Sequence, residues 1–381
     1  MLVAASSMLT LGACRSAPPA SLAPSPVVQP AGDAATGAVK RDSIERATRF
    51  YANRPYGSEA QFNPVSIVLN EGFDQLRTSP GRNIIGRPYG TAAETILRTI
   101  THPERVLRHY GYRAWLRNEV FPLSLKGSGG GQWYPNYQLH LWGSGMTYIR
   151  LAEWYEQHGV ESHPRLAAGM TAMAFHYLNE MIENNGLKID NEDALTDLLL
   201  FDVGSIVLWN QEWMQRLFSG RVEMTDWPGQ LSIGEPGTTM ENQYSMVMAR
   251  FPVPLTSRWK VMTTAGNAFL VGLSRRVADS AWVSVSGGFD PADNPIIDPA
   301  TGRKTATLLP NVGLFYDRNS SLLISFISKG GSNIGSTLNV YPGALIPAKW
   351  MPGFWVQGIR GGGVRFGLVS RFGLGLSGHT R

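Results

Sequence analysis

The stretch that decides the fold is residues 364–377, VRFGLVSRFGLGLS, in which large apolar side chains alternate with small or charged ones. One side of an extended chain would carry the apolar residues Val364, Phe366, Leu368, Phe372, Leu374 and Leu376. The other side would carry Arg365, Gly367, Arg371, Gly373, Gly375 and Ser377. Successive side chains of a β-strand point to opposite faces of a sheet, so this period of two predicts a strand.

Runs of the same period begin near Gln243 and continue towards the end of the chain. They are separated by turn-forming sequences rich in Gly, Asn and Ser, such as Asp317–Ser320 and Arg360–Gly363. We count about eight strands, a number that can close a small barrel. The C-terminal part is therefore predicted to be an antiparallel β-meander, arranged as a small barrel or a sandwich.

The alternation alone does not decide which face of this sheet meets water. An apolar face turned inward gives a soluble barrel or sandwich, whereas an apolar face turned outward gives a membrane-embedded barrel with a polar interior. Several of the predicted strands are shorter than the roughly 9–11 residues that a bilayer crossing requires. The sequence therefore favours a soluble or peripherally membrane-packed β-domain, with the membrane-embedded barrel as the alternative.

Before Trp227, the apolar residues recur at helical spacing instead. Three helices are marked by capping residues, and they run from about Tyr137 to His158, from Pro164 to Asn184–Gly186, and from Asp190 or Asn191 to Ser219–Gly220. Short connections between them favour antiparallel packing. The predicted fold class is α+β, with an N-terminal helical bundle followed by the antiparallel β-meander.

The single cysteine of the chain, Cys14, follows Leu11, Gly12 and Ala13 at the end of an apolar run. This pattern resembles the lipobox of bacterial lipoproteins, although residues 1–13 contain none of the Lys or Arg that usually opens a secretory signal. The resemblance implies acylation of Cys14 by chains such as palmitate and removal of the residues before it. It further implies an exported protein anchored at the outer membrane and facing the periplasm.

Composition divides the chain into four predicted segments. They are a lipoprotein signal peptide (1–13), a disordered tether (14–42), a helical domain (43–226) and an antiparallel β-domain (227–381). The 34 Lys and Arg residues exceed the 29 Asp and Glu residues by only five and form no basic block, which argues against a nucleic-acid partner. The predicted partners are the membrane, reached through the anchor and the β-domain, and other envelope proteins.

The candidate catalytic residues are His140, His176, Glu180 and Asp197, all in the helical part. His176 and Glu180 share one stripe of the second predicted helix, Asp197 lies on the third, and His140 lies near the start of the first. If these stripes converge, an imidazole could act as a base or a ligand beside the two carboxylates. Asp202 also lies among apolar residues, but α-helical spacing places it well round the helix from Asp197.

The alternative interpretation of the same residues is a buried polar network that only fixes helix register, in which His176 hydrogen-bonds Asp197 or Asp202 and Arg150 neutralises Glu180. No His-Glu-x-x-His, Gly-x-Ser-x-Gly or Walker pattern is present, so we predict neither a cofactor nor a metal. Gly143–Gly145 falls within a predicted helix and indicates a close helix crossing rather than a nucleophile turn.

The order His140, Asn179-Glu180, Asp197 and Asp202-Val203-Gly204 is similar to the helical core of small uncharacterised periplasmic lipoproteins of Gram-negative bacteria. That resemblance implies a location and a helix pairing but no reaction. Three hypotheses follow. The first is a structural or binding component of the cell envelope at the outer membrane. The second is a hydrolase or transferase acting on a lipid or envelope polymer, and the third is a carrier of an apolar ligand in the β-domain.

Overall fold

The fold was determined as a computed structural model, and the residues that it describes belong to one compact unit, Glu45–Arg381. The structure describes residues 50–77, 83–122, 134–189, 191–234, 237–242, 245–266, 268–291, 296–297, 304–305, 308–331, 333–346 and 351–380. The predicted signal peptide, the tether and Cys14 lie outside these residues.

Helices occupy the chain from Ser58 to Arg221. The α-helices are Pro64–Gly72, Tyr89–Thr101, Pro103–Tyr110, Tyr112–Trp115, Gly145–Gln157, Pro164–Asn184, Glu192–Thr196, Val203–Trp209 and Glu212–Arg216. The π-helical segments are Leu116–Val120, Tyr134–Ser144, Asp197–Asp202 and Leu217–Arg221, and the 3₁₀ turns are Ser58–Gln61 and Asp74–Arg77. None of the described helices has both the length and the hydropathy required to cross a bilayer.

The helix predicted to begin at Pro164 is confirmed and has the bounds Pro164–Asn184. Proline suits its first turn because the missing N–H has no helical partner there. The helix ends where Asn185 takes up the left-handed conformation, with φ at 49°. The predicted close helix crossing is also confirmed, because a Cβ atom on Gly145 would lie 1.9 Å from the buried ring of Trp209.

Strands begin at Glu223, immediately after the last helical segment. They are β1 Glu223–Trp227, β2 Ser232–Gly234, β3 Thr239–Glu241, β4 Met246–Pro252, β5 Trp259–Gly266, β6 Phe269–Ala278, β7 Ala281–Pro291, β8 Ile296–Ile297, β9 Lys304–Thr305, β10 Leu308–Arg318, β11 Ser321–Lys329, β12 Ile334–Val340, β13 Gly353–Ile359, β14 Val364–Val369 and β15 Gly375–Thr380. Thirteen of them form one sheet in the order β1-β4-β5-β6-β7-β10-β11-β12-β13-β14-β15-β2-β3, and β8 pairs with β9 separately.

The α+β class is confirmed, but the count of about eight strands is wrong. Residues 364–377 form a hairpin of β14 and β15 rather than one strand, because the backbone turns at Ser370–Leu374 with Gly373 at φ 82°. The alternating run 258–276 is likewise a hairpin of β5 and β6. Alternation that continues across a tight turn cannot by itself reveal the turn.

Among the described residues the sheet is not closed, so of the two predicted arrangements, a small barrel or a sandwich, the closed barrel is wrong. Its edge strands are β1 and β3, and β2 joins the far end of the sheet by pairing in parallel with β15. Residues 228–231 connect β1 to β2 without ladder pairing. Pro228 has no N–H to offer, and the Gln230 side chain donates to the carbonyls of Val340 and Phe354.

The inner face of the sheet carries both a buried apolar cluster, which includes Trp227, Met262 and Phe315, and a set of hydrogen-bonded polar groups. Arg250 on β4 forms an ion pair with Asp317 on β10, although three strands separate them in the sheet, so the sheet curls strongly. Trp355 donates to Ser232 across 2.9 Å, and Asn242 donates to Asn339 across 2.7 Å. These groups are buried.

The outer face of the sheet is apolar. Val364, Phe366 and Leu368 are exposed, and their neighbours Gly367 and Val369 are buried. The apolar side of the stretch that decides the fold therefore points outward, not into the core. For Val364–Val369, the alternative in which the apolar side of this stretch faces inward is therefore wrong.

We predict that Gly145→Ala lowers the free energy of unfolding by about 1–3 kcal/mol, because its methyl group collides with the Trp209 ring. Gly90→Ala is the matched control, since it also lies in a helix but no atom lies within 4 Å of its added Cβ. That substitution should stabilise the protein by about 0.4–1 kcal/mol. Denaturant unfolding followed by near-UV circular dichroism measures both, and equal effects would contradict the crossing.

Candidate functional site

Two histidines and two aspartates from three separate helical segments meet in the helical part. Nδ1 of His140 lies 2.9 Å from Oδ1 of Asp202, and Nε2 of His140 lies 3.4 Å from Oδ2 of Asp197. Nε2 of His176 lies 3.3 Å from the same Asp202 oxygen, and the two imidazole rings are 5.1 Å apart. These four residues are called the histidine–aspartate cluster below. The convergence of His140, His176 and Asp197 is present in the structure.

Unusual helical winding brings the cluster together. His140 lies in the π-helical segment Tyr134–Ser144, and Asp197 and Asp202 are the first and last residues of another π-helical segment. In a π-helix the hydrogen bonds join residues five apart, so residues with that spacing approach the same side. This winding corrects the expectation that Asp202 lies well round the helix from Asp197.

Glu180, the fourth candidate, is buried beside the cluster but makes no ion pair with either histidine among the described residues. It lies one helical turn from His176 on Pro164–Asn184, and its charge favours the protonated form of His140. Asp193 also acts on His140 through its charge. The cluster therefore stands in a strongly acidic, buried surrounding.

Burial and charge move the pKa values of the two histidines in opposite directions. Burial opposes protonation of His140, but the adjacent Asp202 carboxylate, together with Glu180 and Asp193, raises its pKa to about 9. Burial lowers the pKa of His176 to about 4; the Asp202 carboxylate opposes this shift and the charge on His140 adds to it. At neutral pH His140 is therefore a cation, and His176 is a neutral imidazole with a lone pair to offer.

The neighbouring carboxyl groups hold their protons more tightly than usual. Burial raises the pKa of Asp193 to about 8, and the charges of Glu183 and Glu119 add to this effect. The pKa values of Glu180 and Asp197 are also well above their ordinary range, first because of burial and then because of nearby carboxylates.

The cluster is largely buried among the described residues. The side chains of His140 and His176 are 14% and 10% exposed, whereas those of Asp197 and Asp202 are 5% and 1% exposed. The two imidazoles are therefore the most accessible members of the cluster.

The sequence analysis assigned Ser144 to a helix crossing and did not predict its contact with His176: Ser144 Oγ lies 2.6 Å from Nε2 of His176. The pair is not a catalytic triad, because a triad uses opposite ring nitrogens for the serine and the aspartate. Here Ser144 and Asp202 both face Nε2. The flanking residues Gly143 and Gly145 are typical of close helix packing, and no signal in the sequence indicated that Ser144 contacts His176.

Arg150 does not neutralise Glu180, which corrects the network expected from the sequence. Its guanidinium donates to the backbone carbonyl of Asp226 and lies 4.1 Å from the centre of the Phe62 ring. Asp226 also accepts a hydrogen bond from Thr147 across 3.0 Å. This charged group is separate from the histidine–aspartate cluster.

No protein-family model matches the chain, and no curated protein or solved structure is similar to it. The resemblances to a lipobox and to small periplasmic lipoproteins therefore remain predictions.

Glu71 gives the protein a measurable pH dependence. Burial raises its pKa to about 8, with the Asp226 charge as the next cause and a hydrogen bond with Ser245 opposing both. The unfolded chain ionises Glu71 near its ordinary pKa of 4.5, so the folded state binds this proton more tightly between pH 4.5 and 8. The free energy of unfolding should therefore fall as pH rises through this window.

In Glu71→Gln the free energy of unfolding should decrease less with rising pH. The variant should therefore gain stability relative to the wild type between pH 5 and about pH 8. Exposed Glu94, changed to Gln, is the matched control and should follow the wild type. Unfolding titrations at several pH values provide the measurement. A Glu71→Gln curve parallel to the wild-type curve would contradict the assignment.

Proposed function

We propose that this chain is a cell-envelope protein with a structural or binding role at the outer membrane. Acyl chains on Cys14 and the apolar outer face of the 13-stranded sheet hold it against the lipid. The observation that supports this proposal is the apolar outer face of the sheet, which stays exposed while the inner face buries many polar side chains beside an apolar cluster. Sheets that face lipid have this arrangement.

One row of cross-strand neighbours runs along the outer face through nine strands. Each member is the register partner of the next, and the row is Phe251, Val261, Leu273, Val285, Leu314, Phe326, Leu338, Val356 and Phe366. Every member is apolar, and none is buried. With strands about 4.8 Å apart, this apolar row covers roughly 38 Å of sheet.

The apolar surface also extends along the strands. On β10 the outward residues Leu308, Pro310, Val312, Leu314 and Tyr316 follow one another at every second position. They span eight residue steps, or about 27 Å. The apolar band of lipid-facing sheets is about 25 Å tall. The combined surface is on the order of 1,000 Å², well above the few hundred Å² that a soluble monomer usually exposes.

Arginines and aromatic rings border this surface at one end of the strands. Arg275 lies 5.7 Å from the ring of Trp259, its register partner, and Arg318 ends β10 with its guanidinium 4.5 Å from the ring of Tyr56. Aromatic rings and long cations favour the boundary between lipid chains and water. This border favours a bilayer over a protein partner as the occupant of the face.

A second candidate function is a hydrolase or transferase that acts on a lipid or envelope polymer. The convergence of His140, His176 and Asp197 favours it. The carrier hypothesis has less support, because the inner face of the sheet presents hydrogen-bonded polar groups such as Asn242 and Asn339. An apolar ligand requires a mostly apolar pocket.

Acylation is the first test of the proposal. Cells labelled with a palmitate analogue should incorporate the label into the wild-type protein and into a Ser16→Ala control. Cys14→Ser should take up no label and should retain residues 1–13, because no other cysteine is present to be modified. Mass spectrometry that finds a bare thiol in the wild-type protein would contradict the anchor.

The sheet face is tested in the Cys14→Ser background, so that the anchor cannot mask its contribution. Val285 and Leu314, register partners that are 54% and 44% exposed, are both changed to Lys. Each lysine costs about 2–4 kcal/mol near the middle of a bilayer, so flotation with phospholipid vesicles should fall at least about tenfold.

The matched control changes Leu166 and Val207 to Lys, since these residues are 62% and 59% exposed but lie on helices. The control should float like its background. Equal flotation of the two double variants would contradict membrane contact. A stable dimer that forms without detergent and does not float would instead assign the face to a second copy.

A further inference from the structure

We infer that the histidine–aspartate cluster is a binding site for one divalent transition-metal ion. His140, His176 and Asp202 supply the ligand atoms, and Asp197 orients His140 from behind. This inference stands apart from membrane contact and from any activity at the sheet.

The donor atoms already lie at spacings that a metal ion requires. One atom from each of His140, His176 and Asp202 lies within 4.8 Å of the others. Metal–nitrogen bonds of about 2.0–2.1 Å place neighbouring ligands of a tetrahedral ion about 3.3 Å apart. The Asp202 oxygen lies 2.9 Å from His140 and 3.3 Å from His176, while the ligand atoms of the two histidines lie within 4.8 Å of each other and would move closer together around an ion.

Asp197 provides the outer-shell contact that metal-binding histidines usually have. Its Oδ2 lies 3.4 Å from Nε2 of His140, on the opposite side of the ring from Asp202. A metal ion would displace the proton from Nδ1 of His140, while Asp197 holds the remaining proton on Nε2. At His176, the metal would replace the hydrogen bond between Nε2 and the Ser144 hydroxyl.

Buried oxygens without a hydrogen-bond partner provide a second and independent reason to assign a metal site to the cluster. Oδ2 of Asp202, Oδ1 of Asp197 and Oε2 of Glu180 are buried and have no hydrogen-bond partner among the described residues. In the same part of the chain, no Lys or Arg forms an ion pair with these three residues. Buried carboxylates are usually paired or bound to metals, so a dication would satisfy this group.

The ligand types indicate which ions fit. Two imidazole nitrogens and one carboxylate suit zinc, iron and their first-row neighbours, whereas Mg²⁺ and Ca²⁺ prefer oxygen ligands alone. Three protein ligands leave at least one position open to water. A metal-activated water there would supply the nucleophile for the second candidate function.

Zn²⁺ binding to the full-length chain tests the inference. The protein carries an affinity tag without histidine, is stripped with a chelator and is then dialysed against Zn²⁺. We expect one tightly bound equivalent in the wild type and at least about 100-fold weaker binding in His176→Gln and Asp202→Asn. Asp197→Asn should weaken binding about 10- to 100-fold, as the loss of an outer-shell carboxylate usually does.

His158→Gln is the matched control and should bind Zn²⁺ like the wild type. His158 stacks on Trp154 at 3.9 Å and takes no part in the cluster. Near-UV circular dichroism in metal-free buffer checks that each variant folds. Equal Zn²⁺ affinity in the wild type, His176→Gln and Asp202→Asn would overturn the site, as would a folded wild type that binds no Zn²⁺.

X-ray absorption of the Zn²⁺-loaded wild type keeps the inference testable if a variant fails to fold. We expect a shell of nitrogen and oxygen with the scattering pattern of two imidazoles. A shell without imidazole would overturn the assignment and leave the cluster as a hydrogen-bonded network that fixes helix register. Neither result bears on vesicle flotation, so failure of this site is distinguishable from failure of the membrane proposal.

Discussion

The buried ion pair between Arg250 and Asp317 is the interaction on which the shape of the sheet depends. The two residues belong to β4 and β10, which three intervening strands separate, so their contact requires a strong curl. Arg250 also donates to Ser274 on β6 across 3.1 Å. The concave side is filled by these polar contacts and by the buried apolar cluster around Trp227 and Phe315. Because the side chains of a strand alternate between faces, the remaining apolar residues lie on the convex side.

In the helical part, the arrangement of the histidine–aspartate cluster depends on two π-helical segments. Asp197 and Asp202 are both available to His140 because the segment between them is π-helical. Such segments carry poorer backbone geometry than an α-helix and often occur at functional sites. Here the segments that contain His140 and both aspartates are of this kind. A regular α-helix over these residues would have turned the side chain of Asp202 away from the side that carries Asp197.

The sequence was sufficient to predict those features that depend on neighbouring residues. The α+β class, the bounds of Pro164–Asn184 and the close approach at Gly145 all follow from local spacing and from capping residues. His140, His176, Glu180 and Asp197 were identified as candidates from helical stripes, but whether these stripes meet depends on helix packing, which the sequence did not decide. The number of strands was not predicted, because alternation continues through the turn at Gly373.

Other features depend on contacts between distant residues and could not be predicted. The central position of Asp202 results from π-helical winding, for which the residue pattern carries no signal. The open edge of the sheet depends on where β2 pairs, and the direction of the apolar face depends on interior partners such as Arg250 and Asp317. The partners of the Arg150 guanidinium, which are the Asp226 carbonyl and the Phe62 ring, are likewise residues distant in sequence.

The parallel pairing of β2 with β15 has a consequence for how the chain folds. Ser232 pairs beside Gly375, so this contact joins residues that are far apart in the chain. Contacts between such distant residues carry a large loop-closure cost and form slowly. Among the described strands, β15 connects the β2–β3 hairpin to the rest of the sheet. Docking of that hairpin is therefore expected to be a late step in folding, after the local hairpins have formed.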